Sequence, residues 1–191
     1  MRPGDSSRSA MPRSHCLLAP SDPRSRGWPR LRFAESDIDT AFAGNGNIGL
    51  LLGDASGGLL DVDLDSPEAI RAAEILLPTT SMISGRQSAP ASHWWFVVDA
   101  PPEKASGKFI DPTATDDNGL LLELRSTGGQ TMTPPSVHPS GESCIWYRHG
   151  EATHIDTDEL RVAVRGLAAA SLLGRHWPTG SRHDASLALA G

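Results

Sequence analysis

Apolar and polar residues alternate most strictly over Leu59–Leu64. Leu60, Val62 and Leu64 fall on one side and Asp61 and Asp63 on the other, which is the period of a β-strand. Upstream, the apolar run 47–52 (NIGLLL) ends at Gly53 and predicts a strand, and Asp54–Gly58 reads as the turn between the two. Ser66, Pro67 and Glu68 are an N-cap, a first-turn proline and a first-turn acid. They open a predicted helix to about Leu77, with Ala69, Ile70, Ala73, Ile75, Leu76 and Leu77 on its apolar side and Pro78 as its stop. Further strands are predicted over Thr79–Ser84 and Ser92–Val98, and a short one over Lys108–Ile110. Leu120–Arg125 alternates again, with Glu123 and Arg125 sharing a face. Gly128 and Gly129 turn the chain into a strand over Gln130–Thr133, and Pro134–Glu142 is an irregular loop before a strand at Cys144–Arg148. Asp156 and Glu159 have capping-box spacing and begin a helix to about Leu173. Gly174 and Pro178 break it, and a last helix is predicted from about Ser181. Short strands around one early helix favour an α+β domain with a mixed or antiparallel sheet over a doubly wound parallel fold.

Composition narrows the class. The chain has 191 residues, about one domain's length. With 19 Gly and 15 Pro it is loop-rich, and no apolar run approaches the ~20 residues of a membrane-spanning helix. Two cysteines, Cys16 and Cys144, support neither a disulfide framework nor a Cys-based zinc cluster. With no secretory apolar region either, the expected location is a reducing one, the cytoplasm. The formal charge of −6 is unevenly spread: seven Arg against three acids give residues 1–36 a charge of +4, which leaves −10 for the rest. Residues 1–26, rich in Arg, Ser and Pro, read as a disordered or atypical basic leader.

The acids carry the first candidate chemistry. Residues two apart on a strand lie roughly 6.6 Å apart on one face. Asp61 and Asp63 can therefore converge on a hard divalent cation, or form the polar face of a half-buried strand. Asp65 shares their face but adjoins Ser66, which suits a turn or capping role. Glu123 sits in a leucine-rich strand and needs either a metal or an ion pair with Arg125. If the strands 59–64 and 120–125 are adjacent, Asp61, Asp63 and Glu123 form a three-carboxylate cluster, whose mutual repulsion calls for a cation. His93 shares a face with Trp95 and can donate to a phosphate, transfer a proton, or simply pack on that ring. Arg86 can clamp phosphate or sit in solvent, and His138, in the proline-stiffened 134–141 loop, can touch phosphate or brace the loop. Walker-A, GxSxG and HExxH patterns are absent from the sequence.

The order of these motifs resembles the bifunctional primase/polymerase domains of the archaeo-eukaryotic primase superfamily, in the phage and plasmid version. NIGLLLGDASGGLLDVDLDSPEA (47–69), SGRQSAPASHWWF (84–96) and LLLELRSTGGQTMTPPSVHPSGESCIW (120–146) are similar to its three motifs, and GWPRLRF (27–33) to the lead-in segment. The resemblance implies an α+β core of RRM-like topology with flanking helices, and templated nucleotidyl transfer dependent on two divalent cations, Mg²⁺ or Mn²⁺. It implies Asp61, Asp63 and Glu123 as metal ligands, with His93, aided by Ser92, Arg86 and His138, holding the incoming NTP or dNTP. Single-stranded DNA would be the template, and a helicase the partner in replicating a phage, plasmid or integrated element. The catalytic domain is expected over 27–173, and 174–191 reads as the start of a truncated helical linker towards a missing helicase-like region. Ala91 stands where the family often has Ser or Gly, and Ala89 where relatives often carry Lys. Two alternatives follow: a degenerate nucleotide- or single-stranded-DNA-binding module of the same fold, and a metal-dependent nuclease.

Overall fold

The computed structural model describes residues 18–20 (main chain only), 36, 40, 46–103, 107–115, 119–178, 180, 181, 183, 186 and 187. The 27–33 segment and most of the expected last helix lie outside the described residues. The strands are β1 (Leu18–Pro20), β2 (Ile48–Leu51), β3 (Leu59–Leu64), β4 (Met82–Arg86), β5 (Ala89–Val97), β6 (Lys108–Ile110), β7 (Leu120–Arg125), β8 (Gln130–Thr133), β9 (Ile145–His149) and β10 (Thr153–His154). The helices are α1 (Pro67–Leu76) and α2 (Thr157–His176).

Two sheets form. The larger has the order β6-β7-β3-β5-β4-β9, with β10 added parallel to β5; its other pairings are antiparallel. The smaller is β1-β2-β8, also antiparallel. This is the α+β architecture expected from the alternation of short strands.

Each face of the larger sheet has its own core. Leu60, Val62, Leu64, Trp94, Phe96, Leu122 and Leu124 point to the helices and pack against Ala69 and Ala73 of α1 and Leu160, Val164 and Leu167 of α2. Small residues at 69 and 73 bring α1 close to its neighbours. On the opposite face Leu50 and Leu52 meet Leu59, Trp95 and Ala152, so the smaller sheet covers only part of the larger one. The polar face of β3 is buried as well: Asp61 is 0 % exposed and Asp63 5 %. A solvated acidic strand face is thereby excluded.

Local signals set most boundaries. Ser66 caps α1, its hydroxyl accepting from Ala69 N–H, so Asp65 does not serve as the cap. Asp156 caps α2 by accepting from the N–H groups of Asp158 and Glu159. Five readings shift. The strand expected at Thr79–Ser84 begins at Met82, because Thr80 uses its hydroxyl to join Trp95 O, Met82 N and Thr153 N in place of a ladder. β5 starts three residues early, and β9 runs one residue later than expected at each end. α2 passes through Gly174 to His176, where Arg175 and His176 reach Asp111 and Glu68. Leu18–Pro20, inside the expected leader, pairs with Ile48–Leu50.

Candidate active site

The register of three neighbouring strands assembles the site. β3 lies between β7 and β5, with Asp63 opposite Glu123 on one side and opposite His93 on the other. Asp61 lies opposite Arg125 and Trp95. Directly opposed residues of a ladder share a face, so the two-residue parity of each strand gathers Asp61, Asp63, Glu123, Arg125 and His93 on one patch. The adjacency on which the three-carboxylate cluster depended is present.

Hydrogen bonds order these groups. His93 Nδ1 lies 3.1 Å from Asp61 Oδ2 and 3.2 Å from Asp63 Oδ1. Thr131 Oγ1, from β8 of the smaller sheet, donates to Asp61 Oδ2 at 2.7 Å. Arg125 pairs through Nη2 with Asp63, and through Nε with Glu123 Oε2 at 3.1 Å. The ring of His93 also lies 6.4 Å from that of Trp95. Packing on Trp95 and bonding to carboxylates therefore occur together.

The electrostatics follow from burial and crowding. Burial pushes the Asp63 carboxyl up to about 6, with Asp61 adding to the rise while His93 and Arg125 oppose it. His93 shifts upward although burial disfavours its charge, because Asp61 and Asp63 together outweigh the desolvation. An imidazolium whose Nδ1–H faces two carboxylates has Nε2–H left as its second donor. Arg125 is likewise driven upward by Asp63 and Asp61 against desolvation.

A cavity of about 970 Å³ opens beside this patch, lined among others by Asp63, Arg86, Ser92, His93, Arg125 and His138. Ser92 is 2 % exposed and its hydroxyl has no hydrogen-bond partner among the described residues. Arg86 is anchored at the rim, 3.4 Å from Glu142, which also accepts from Ser88 N–H and hydroxyl. His138 Nδ1 accepts from Ser140 N–H, which leaves Nε2 as the protonated nitrogen of the neutral ring. Burial and nearby Arg86 lower its pKa, so the neutral form prevails at neutral pH.

A bulge aims His93. Between the pairs Ser84↔His93 and Arg86↔Ala89, β5 carries two more residues than β4. Ala91 takes φ +49° there, and its carbonyl accepts from Trp94 Nε1 at 2.9 Å. Gly85 faces the bulge: a Cβ at this position would lie 2.6 Å from Ala89 O and 2.8 Å from Ala91 N. Gly53, at φ +70°, similarly admits Thr127, whose hydroxyl would be 2.1 Å from a Cβ.

The donor set suits a hard cation in kind. It is all oxygen, and Asp61 Oδ1 is buried without a partner among the described residues, a free valence in an acidic cluster. In the arrangement seen, no three His, Cys, Asp or Glu side chains among the described residues converge to hold an ion. Arg125 supplies the balancing charge instead. Of the three carboxylates, Asp63 lines the cavity. All seven residues singled out in the sequence thus lie in the cluster or on the cavity wall. Sequence reasoning missed two more, Thr131 and the pairing of Arg125 with Asp63. Strand parity placed Arg125 on the face of Glu123, whereas nothing local marks Thr131.

A family model described as bifunctional DNA primase/polymerase, N-terminal, matches residues 11–163. No curated protein matches the chain.

Proposed function

The chain belongs to the family of bifunctional DNA primase/polymerase N-terminal domains, and from that premise we propose that it catalyses template-directed nucleotidyl transfer in the cavity beside Asp63. DNA and nucleotides are the substrate classes of such a domain. The observation that supports the reading is the register Glu123–Asp63–His93 across β7, β3 and β5, which gathers two acids and a histidine on one face of the sheet.

Asp61, Asp63 and Glu123 would hold Mg²⁺ or Mn²⁺ through oxygen. Held there, the cations would supply the charge that acidifies a 3′-hydroxyl and offsets the transferring phosphate. The protein's own part is positioning and electrostatics, the main needs of phosphoryl transfer. Asp61 and Asp63 favour the protonated form of His93, whose Nε2–H can donate to a phosphate oxygen. Ser92 offers a spare hydroxyl in the same wall. Arg86 is steadied by Glu142 and presents a guanidinium to the same anion. His138 faces the cavity as a neutral donor. Single-stranded DNA exposed by a helicase in a phage, plasmid or integrated element is the template this reading implies.

A primer-extension assay with a single-stranded template, NTPs or dNTPs, and Mg²⁺ or Mn²⁺ tests it. Products should appear with wild type, vanish in Asp61→Ala and Asp63→Ala, and fall sharply in His93→Ala. The pairing of Arg125 with two carboxylates favours a second reading, a module that binds single-stranded DNA without synthesis. Binding without products would select that module, and shortened labelled DNA would select a nuclease.

A further inference from the structure

Arg125 stands where the charge of a metal ion would be needed. Its Nε and Nη2 engage carboxylates on two different strands, Glu123 and Asp63. Its Nη1 lies 3.5 Å from Thr131 Oγ1, whose hydroxyl in turn donates to Asp61. One guanidinium thus touches, directly or through a single hydroxyl, all three acids. Together with His93, which lies 3.1 Å from Asp61 and 3.2 Å from Asp63, it compensates the charges buried there.

This counterion is exchangeable by position and not by titration. A guanidinium does not lose its proton in a protein, so its charge leaves only if the side chain moves. The Arg125 side chain is 27 % exposed and lines the cavity, so it has somewhere to go. Asp61, by contrast, is fully buried and keeps Oδ1 unpartnered. The cluster therefore combines a buried acid that has an unused oxygen with a partly exposed cation at the cavity.

We propose that Arg125 is an internal competitor for the divalent cations: it holds the acidic cluster together in the metal-free protein and must swing into the cavity for metal to enter. There it meets whatever anion the cavity holds. The proposal rests on the reading of Asp61, Asp63 and Glu123 as a metal site. It goes further in assigning a role to a residue outside that ligand set. Metal entry and phosphate binding become linked, because each draws the guanidinium away from the carboxylates.

The experiment is Mn²⁺ binding to the full chain without nucleotide, by calorimetry, with melting temperature as a second readout. Arg125→Gln should bind Mn²⁺ about tenfold more tightly than wild type, one decade of affinity for removing a competing charge. Its metal-free form should melt lower, and Mn²⁺ should restore the difference. Arg125→Lys keeps the charge and should stay near the wild-type affinity. An Arg125→Gln variant that binds no more tightly than wild type overturns the proposal. A measurement on wild type covers the case in which the variant does not fold. Saturating Mg²⁺ should move the Arg125 Nε–H resonance to the position of a solvated arginine, and an unmoved resonance overturns the proposal. If wild type binds no Mn²⁺ in a manner that Asp63→Asn abolishes, the metal-site reading falls together with it. If wild type does bind Mn²⁺ in that manner, only the role of Arg125 is at stake.

Discussion

Asp63 and Asp111 are the same residue type, 5 % and 3 % exposed, yet their acidities move in opposite directions. Burial raises Asp63 to about 6, and Asp61 beside it adds to the rise. Asp111 is held well below the usual carboxylate range, first by the hydroxyl of Thr113 and then by its N–H, with His176 also contributing against desolvation. Thr113 donates to Asp111 Oδ1 at 2.7 Å from the hydroxyl and 2.9 Å from the main chain. His176 Nε2 sits 2.7 Å from Oδ2. Asp111 is thus satisfied by donors from a turn two residues away and from the end of α2. Asp63 is buried and crowded by the acids on its own strand segment, Asp61 and Asp65. Desolvation leads at Asp63, whereas hydrogen bonds from Thr113 lead at Asp111. A carboxylate settled low by hydrogen-bond donors reads as structure, and one pushed up by burial among other acids reads as a site.

The largest way to break this contrast is activity. Asp63→Ala should lower primer extension by at least about 10³-fold, the scale of removing a metal or transition-state contact. Asp111→Ala should leave it within about threefold at a temperature where the variant is folded. Equal losses would erase the distinction. Stability should show the reverse: in the metal-free protein Asp63→Asn keeps or raises the melting temperature, whereas Asp111→Asn lowers it. His93→Ala comes next, with a fall of about 10²-fold in kcat/KM measured by single-nucleotide incorporation.

The pH profile of metal-free stability sharpens the comparison. Asp63 has a folded pKa above its unfolded value, so its contribution is fully present below about pH 4. It is lost as pH rises to about 6, on the order of 1–3 kcal/mol. His93, also raised, adds a loss above its ordinary value of about 6.5. Asp111, lowered, contributes stability above about pH 4 that is lost as pH falls further. Denaturant midpoints between pH 3 and 8 should show both limbs. Asp63→Asn should flatten the neutral limb and Asp111→Asn the acid one.

Smaller effects probe the cavity wall. His138→Ala should raise the nucleotide KM about tenfold with kcat within about twofold, as expected for a contact made equally before and during reaction. Ala91→Gly relieves a left-handed non-glycine residue and should stabilise the chain by roughly 0.5–1 kcal/mol, read from the denaturant midpoint.

Much of this was legible in the chain because it is local. The alternation of Leu59–Leu64 and Leu120–Arg125 is a two-residue period, and it placed Asp61, Asp63, Glu123 and Arg125 on the correct faces. Ser66 and Asp156 announced their helices through side-chain caps. What stayed hidden depends on distant partners. β1 and β10 are two- or three-residue strands with no pattern of their own, and each exists through the strand it joins. Thr131 reaches Asp61 across 70 positions because the smaller sheet folds over the larger. Gly174 looks like a helix stop until Arg175 and His176 find Asp111 and Glu68 beyond it. The bulge at Ala91 comes from the fit of β5 to β4, which no propensity encodes.

The position of β3 between two hydrogen-bonded neighbours has a consequence for how this protein can change. Inserting or deleting one residue within β3 would turn Asp61 and Asp63 towards Ala69 and Ala73 and present leucines to the cavity, with no intermediate state between the two registers. Length variation is therefore barred from the strand and confined to connections such as Asp54–Ser56, while the acids themselves remain open to substitution one at a time. A lineage carrying this fold can lose its chemistry by a single point change and keep its shape, but it cannot re-register the strand and keep either.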